Sequence, residues 1–94
     1  MISKLFTVDL TGIGSESEIH ERLSGALALP DWYGKNMDAL HDCLTAFSGR
    51  IIVRGTADAI KNLPEAYQLF RRVCRDSMNE NPNLWMYFVE PDDQ

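Results

Sequence analysis

No stretch of this chain approaches the ~20 consecutive apolar residues that a membrane-spanning helix requires. It also has no Gly-rich phosphate loop, no nucleophile elbow and no His-Glu-x-x-His pair. Those absences remove the commonest routes to nucleotide hydrolysis, serine-type acyl transfer and zinc-dependent hydrolysis. Cysteine is scarce: Cys43 and Cys74 stand far apart and form no Cys-x-x-Cys motif. A disulfide framework is therefore not expected, and two free thiols acting as small apolar fillers suit a reducing compartment. The Met1–Leu10 stretch lacks a signal-peptide pattern, because Asp9 cuts its apolar run, so a cytoplasmic location is the expectation. Basic residues are outnumbered, 9 Lys and Arg against 14 Asp and Glu, for a net charge of −5. That balance argues against nucleic acid as a partner, since phosphate binding needs a basic patch. It favours a basic protein.

What is present is enough for one ordinary globular domain over residues 1–94, with 45% apolar residues. Residues 4–10 alternate as a strand, with Phe6, Val8 and Leu10 on one face and Leu5, Thr7 and Asp9 on the other. Ser15 and Glu18 form a capping box that opens a helix near Glu16. Ile19, Leu23, Ala26 and Leu27 are its apolar face, His20 is placed on its solvated side, and it ends near Ala28, before Pro30. A second helix, capped by Asn36, runs to about Ala46. Residues 50–54 form a short apolar strand with charged ends, as suits a central strand. A short helix follows with Thr56 as its cap. Another opens at Pro64, runs to about Ser77 and carries Leu69, Phe70 and Val73 inward. Residues 79–83 form a turn, Leu84–Val89 a strand, and Glu90–Gln94 an acidic tail. Helix separates every pair of strands, so the fold class is α/β, with a three-stranded parallel sheet and its helices packed on one face.

The stretch with most chemical content is Leu29-Pro-Asp-Trp-Tyr-Gly-Lys-Asn-Met-Asp-Ala-Leu-His-Asp-Cys-Leu-Thr-Ala-Phe47. Trp32 and Tyr33 lie in an extended loop, where neighbours point opposite ways, so one is expected inside and one outside. In the helix behind them, Asp38 and Asp42 are four residues apart and lie within ~40° of each other, off the apolar stripe of Met37, Leu40, Leu44 and Phe47. Asp38 falls in the first turn, where the helix dipole favours an acid. Asp42 lies past that turn and has no Lys or Arg three or four residues away in either direction. Spacing alone leaves it open between a solvated charge and a binding anchor. His41 is rotated ~60–100° from both acids, so an acid–base pair or a metal site is a poor reading. No metal or cofactor is expected, and no enzymatic activity. Exposed aromatics beside carboxylates are the composition of a protein-binding hot spot.

The run Leu27–Thr45 closely resembles the signature of the barstar family, intracellular inhibitors of secreted ribonucleases such as barnase. Its Leu-Pro-acid-aromatic-Tyr-Gly-x-Asn-apolar-Asp-Ala-Leu-x-Asp-Cys-Leu-Thr pattern is present without a gap. The resemblance implies the small barstar-like fold and a one-to-one complex in which loop and helix block a nuclease active site. It implies that Asp42 is the central anchor, with Asp38, Trp32, Tyr33, Gly34, Asn36, His41, Ala46, Phe47 and Asp76 around it. The chain departs from the family in places. His41 and Phe47 replace tryptophans, Lys35 replaces an acid, and Arg72 stands where the last helix has an acidic interface residue. A different partner rim is the expected consequence, in another microbial ribonuclease or a ribonuclease toxin. The alternative is a barstar-fold module that binds a basic protein other than a ribonuclease.

Overall fold

A computed structural model describes residues 4–91; Met1–Ser3 and the Asp92–Gln94 end of the expected acidic tail lie outside the described residues. In chain order the elements are β1 (Leu5–Asp9), α1 (Glu16–Leu27), α2 (Met37–Thr45), β2 (Gly49–Arg54), α3 (Thr56–Asn62), α4 (Pro64–Glu80) and β3 (Leu84–Phe88). The three strands form one parallel sheet in the order β1-β2-β3. The expected fold class is thus the observed one, and residues 50–54 lie in the central strand.

The strand pattern shows why the helices gather on one side. Register places Phe6, Ile51 and Met86 side by side, and Val8, Val53 and Phe88 one step on. These side chains lie in or against the core. The alternate residues, Leu5, Arg50 and Trp85, then Thr7, Ile52 and Tyr87, form the opposite face, which no helix covers. Alternation with period two separates the two faces. From the helices, Ile19, Leu23 and Leu27 (α1), Leu40 and Leu44 (α2), and Phe70 and Cys74 (α4) complete the core. Burying an apolar side chain of this size contributes roughly 1.5–3 kcal/mol, and the sum offsets the entropy of ordering so short a chain. Cys43 and Cys74 are both buried free thiols, the filler role expected of them, and burial raises the pKa of each.

Several boundaries moved for identifiable reasons. The α1 cap is a variant of the expected box. The Glu18 N–H reaches Ser15 Oγ at 3.3 Å, but Glu18 Oε1 accepts from the N–H of Gly14, one residue earlier than the usual reciprocal bond, at 2.6 Å. Helix α3 is not capped by Thr56. Gly55 occupies the cap position at φ +68°, where a Cβ would overlap Asp9 and Thr11. Thr56 is instead buried and donates its hydroxyl to the Val89 carbonyl at 2.7 Å, tying α3 to the end of β3. In α4, Leu69 is exposed and Tyr67 takes an inner position with Phe70, Cys74 and Ser77. Leu69 is ~100° from Phe70 on the helix, so the face that meets the core passes it by. The same helix continues beyond Ser77 to Glu80 and so absorbs the start of the expected turn.

Candidate functional site

The acidic surface begins with how the loop before α2 is made. Ala28 ends α1 in the left-handed region at φ 53°, and its N–H returns to the Ser24 carbonyl. The chain then turns over Pro30, whose carbonyl accepts from the Tyr33 N–H at 3.0 Å. Trp32 and Tyr33 part here in the expected way: Trp32 is 69% exposed and Tyr33 only 5%. Lys35 adopts φ 55°, a conformation that a non-glycine residue takes rarely, and this bends the chain into the helix. Asn36 accepts from the Ala39 N–H at 2.8 Å, which is the N-cap read from the sequence.

Tyr33 is held from below by a residue that periodicity misplaced. His20 was expected on the solvated side of α1, yet it is fully buried, and its Nδ1 shares a hydrogen bond with the Tyr33 hydroxyl. Its Nε2 faces Glu16 Oε2 at 3.4 Å. A neutral ring protonated on Nε2 satisfies both contacts, donating to Glu16 and accepting from Tyr33. The signal was present in the sequence: His20, Leu23 and Leu27 have the i, i+3, i+7 spacing of a buried stripe. A partner for the imidazole, thirteen residues away, was not visible. Burial pushes the Tyr33 phenol well above its ordinary pKa. Tyr33 therefore serves this surface as the anchor of the loop, with little side chain to offer a partner.

On α2, Asp38 and Asp42 are exposed, and neither forms an ion pair among the described residues. His41 between them is half-buried, and its Nε2 meets Glu80 Oε2 at 3.1 Å. Glu80 was read as part of a turn. The longer α4 carries it onto the α2 surface, where it adds a third carboxylate beside the two Asp. Asp76, one turn earlier on α4, has Oδ1 3.7 Å from Arg75 Nε. Gly34 and Asn36 are exposed in the loop, and Ala46 is exposed as the C-cap of α2. Phe47 is half-buried, its ring edge-on to Phe6 at 5.1 Å, so only part of it faces outward.

The far end of α2 is fixed by Asn81, which the sequence reading placed in a surface turn. Its side chain is buried, and its Nδ2 donates to the carbonyls of Leu44 at 2.9 Å and Phe47 at 2.7 Å. Its Oδ1 accepts from the Asn83 N–H at 3.0 Å. Two carbonyls that the end of α2 leaves unpaired thus find a donor at the end of α4. The acidic helix is pinned at both ends, by Asn36 and by Asn81, and its loop is pinned through Tyr33. Such a surface loses little entropy when a partner orders it. Its chemistry is that of a rigid cation receptor with an exposed indole beside it. Among the described residues no group of three or more His, Cys, Asp or Glu is arranged to hold a metal ion, and no helix is long and apolar enough to cross a membrane.

Comparison with known proteins agrees with this geometry. The family model described as "Barstar (barnase inhibitor)" matches residues 3–89. A Bacillus subtilis (strain 168) protein named "Putative ribonuclease inhibitor YrdF" is 52% identical over 29 residues. That alignment takes in 31% of this chain and 32% of the relative, so the likeness covers about a third of each.

Proposed function

The chain belongs to the barstar family, and we propose that it inhibits a secreted bacterial ribonuclease or ribonuclease toxin by occupying the active site one to one. The observation that carries this reading is the pair of exposed carboxylates without ion-pair partners, Asp38 and Asp42, on a helix fixed at both ends beside the exposed Trp32. A ribonuclease active site holds RNA phosphate with Arg, Lys and His. A fixed array of carboxylates can take the place of those phosphates. Asp42 supplies the central charge, Asp38 and Glu80 flank it, and Trp32 covers the neighbouring apolar surface. His41 stays beside Glu80, and the partner rim that meets it differs from one shaped for an indole. The reading makes the chain an immunity protein of the cytoplasm, protecting the cell that makes the nuclease.

The test is direct. Purified protein is mixed with guanyl-preferring bacterial ribonucleases and RNA cleavage is followed. Stoichiometric inhibition of at least one supports the reading. Failure to inhibit any of them at micromolar concentration leaves the fold as a binding module for another basic protein. Association should slow steeply as salt rises, because steering by exposed charge is screened over ~10 Å at 0.1 M ionic strength. A salt-independent on-rate would remove the electrostatic part of the mechanism.

A further inference from the structure

A second surface lies around β3, with the opposite character. Trp85 and Tyr87 project from the uncovered sheet face, 48% and 54% exposed, with rings stacked at 6.0 Å and 6° between planes. Register places Arg50 of the central strand beside Trp85 on that face. Tyr87 also lines a groove of about 720 Å³ that runs between α4 and β3. The α4 wall of the groove carries Arg71, Arg72 and Arg75. Arg71 is committed internally: it pairs with Glu90, which also accepts from the Tyr67 hydroxyl at 2.6 Å, and it lies 4.3 Å over the Phe88 ring. Arg72 has no ion-pair partner among the described residues, and Arg75 has only the 3.7 Å approach of Asp76. Four of the chain's nine Lys and Arg thus surround one strand. The net charge of −5 hides this, because it averages over both surfaces.

We infer that this surface binds a short single-stranded polynucleotide, with bases stacking on Trp85 and Tyr87 and phosphates meeting Arg72, Arg75 and Arg50. Two aromatics on alternate positions of one strand, with arginines on the neighbouring strand and helix, suit unstacked bases joined by anionic linkers. A second copy of the chain fits less well. Three strands of five residues offer a face of about 14 × 17 Å, or ~240 Å², against ~800 Å² per partner in a stable protein complex. Strand addition by an acidic peptide also fits less well. The outward N–H of Met86 is already taken by Met78 Sδ at 3.2 Å, which blunts the free edge of β3. The inference does not depend on the inhibitor reading, because it uses none of the residues on the acidic face.

Fluorescein-labelled octanucleotides of RNA and DNA, single-stranded and duplex, titrated with the whole protein at low salt, test it by anisotropy. Single strands are expected to bind in the micromolar range and duplexes more weakly, because duplex bases are already stacked. Trp85→Ala should weaken single-strand binding roughly tenfold. Arg72→Glu should weaken it and flatten its salt dependence. Asp42→Ala should leave it unchanged, so failure here is separable from failure of nuclease inhibition. RNA bound in preference to DNA would add recognition of the 2′-hydroxyl to the inference. The inference is overturned by any of three results: no anisotropy change at ~100 μM protein, unchanged affinity in Trp85→Ala, or displacement of the oligonucleotide by an equally charged poly-glutamate peptide at equal concentration. The last result would assign the surface to an acidic protein.

Discussion

The α2 surface and the β3 surface differ in charge and in how the charge is held. On α2 the carboxylates of Asp38 and Asp42 stand free on a helix that neutral hydrogen bonds fix from behind. Around β3 one arginine is locked by Glu90 and Tyr67 while two remain available. The first surface is a rigid array whose charges wait for an outside partner. The second is partly satisfied by its own chain and displays aromatic rings instead. A single net charge conceals both. Local charge on a fixed frame decides what a small domain can bind, and the sum does not.

The comparison can be broken most sharply at Asp42. If α2 is the inhibitory face, Asp42→Ala should weaken nuclease binding by about 2 kcal/mol or more and leave the unfolding curve in place. The barnase–barstar pair is itself the standard case of such desolvated charges, so that figure is borrowed from the family and not built from this chain. Trp85→Ala should leave nuclease affinity unaltered. Equal losses from both variants would merge the two surfaces into one.

The frame behind α2 is the next point to break. Asn81→Leu removes the donor from the Leu44 and Phe47 carbonyls and should lower stability by about 2–3 kcal/mol, read as a reduced urea midpoint. Nuclease binding should fall with it, since the end of α2 loosens. An unshifted midpoint would mean that water serves those carbonyls equally well. Tyr33→Phe acts at the other end of the site. It leaves His20 Nδ1 without its buried partner and should cost about 1–2 kcal/mol, with amide exchange accelerated across residues 30–36. Unchanged exchange in that loop would deny Tyr33 its anchoring role.

The smallest effect belongs to the basic side. Burial opposes ionisation of Glu90, but hydrogen bonds from Tyr67 and Arg71 prevail and hold its pKa below the ordinary carboxylate value. A depressed carboxylate adds stability that is complete above the unfolded pKa of ~4.3 and fades as pH falls through the folded value. Glu90 is largely exposed, so solvent screening keeps that contribution small. Glu90→Gln should flatten the stability curve slightly below pH 4.5 and change nothing at pH 7 that the pairing with Arg71 does not explain. A large loss confined to neutral pH would point instead to a repacked groove.

Local pattern carried much of this molecule. Alternation in residues 4–10 and 84–89, the caps at Ser15 and Asn36, and the spacing of Asp38 and Asp42 each depend on residues within a turn or two of one another. Periods of 2 and 3.6 therefore sort them onto faces without knowledge of the rest. The one-in, one-out fate of Trp32 and Tyr33 followed from the same local geometry. The tertiary structure decided the remainder. His20 went inside because Tyr33, thirteen residues on, could satisfy its ring. Asn81 became a buried strut because the α2 carbonyls arrive from 34 and 37 residues earlier. Glu80 reached His41 across 39 positions, and Arg50, Trp85 and Arg72 came to surround one strand through parallel register and an α4 crossover. A buried polar group is permitted only where a partner meets it, and a charged patch exists only where elements converge. Both conditions are set by contacts between segments far apart in the chain, which residue order encodes but local periodicity does not display.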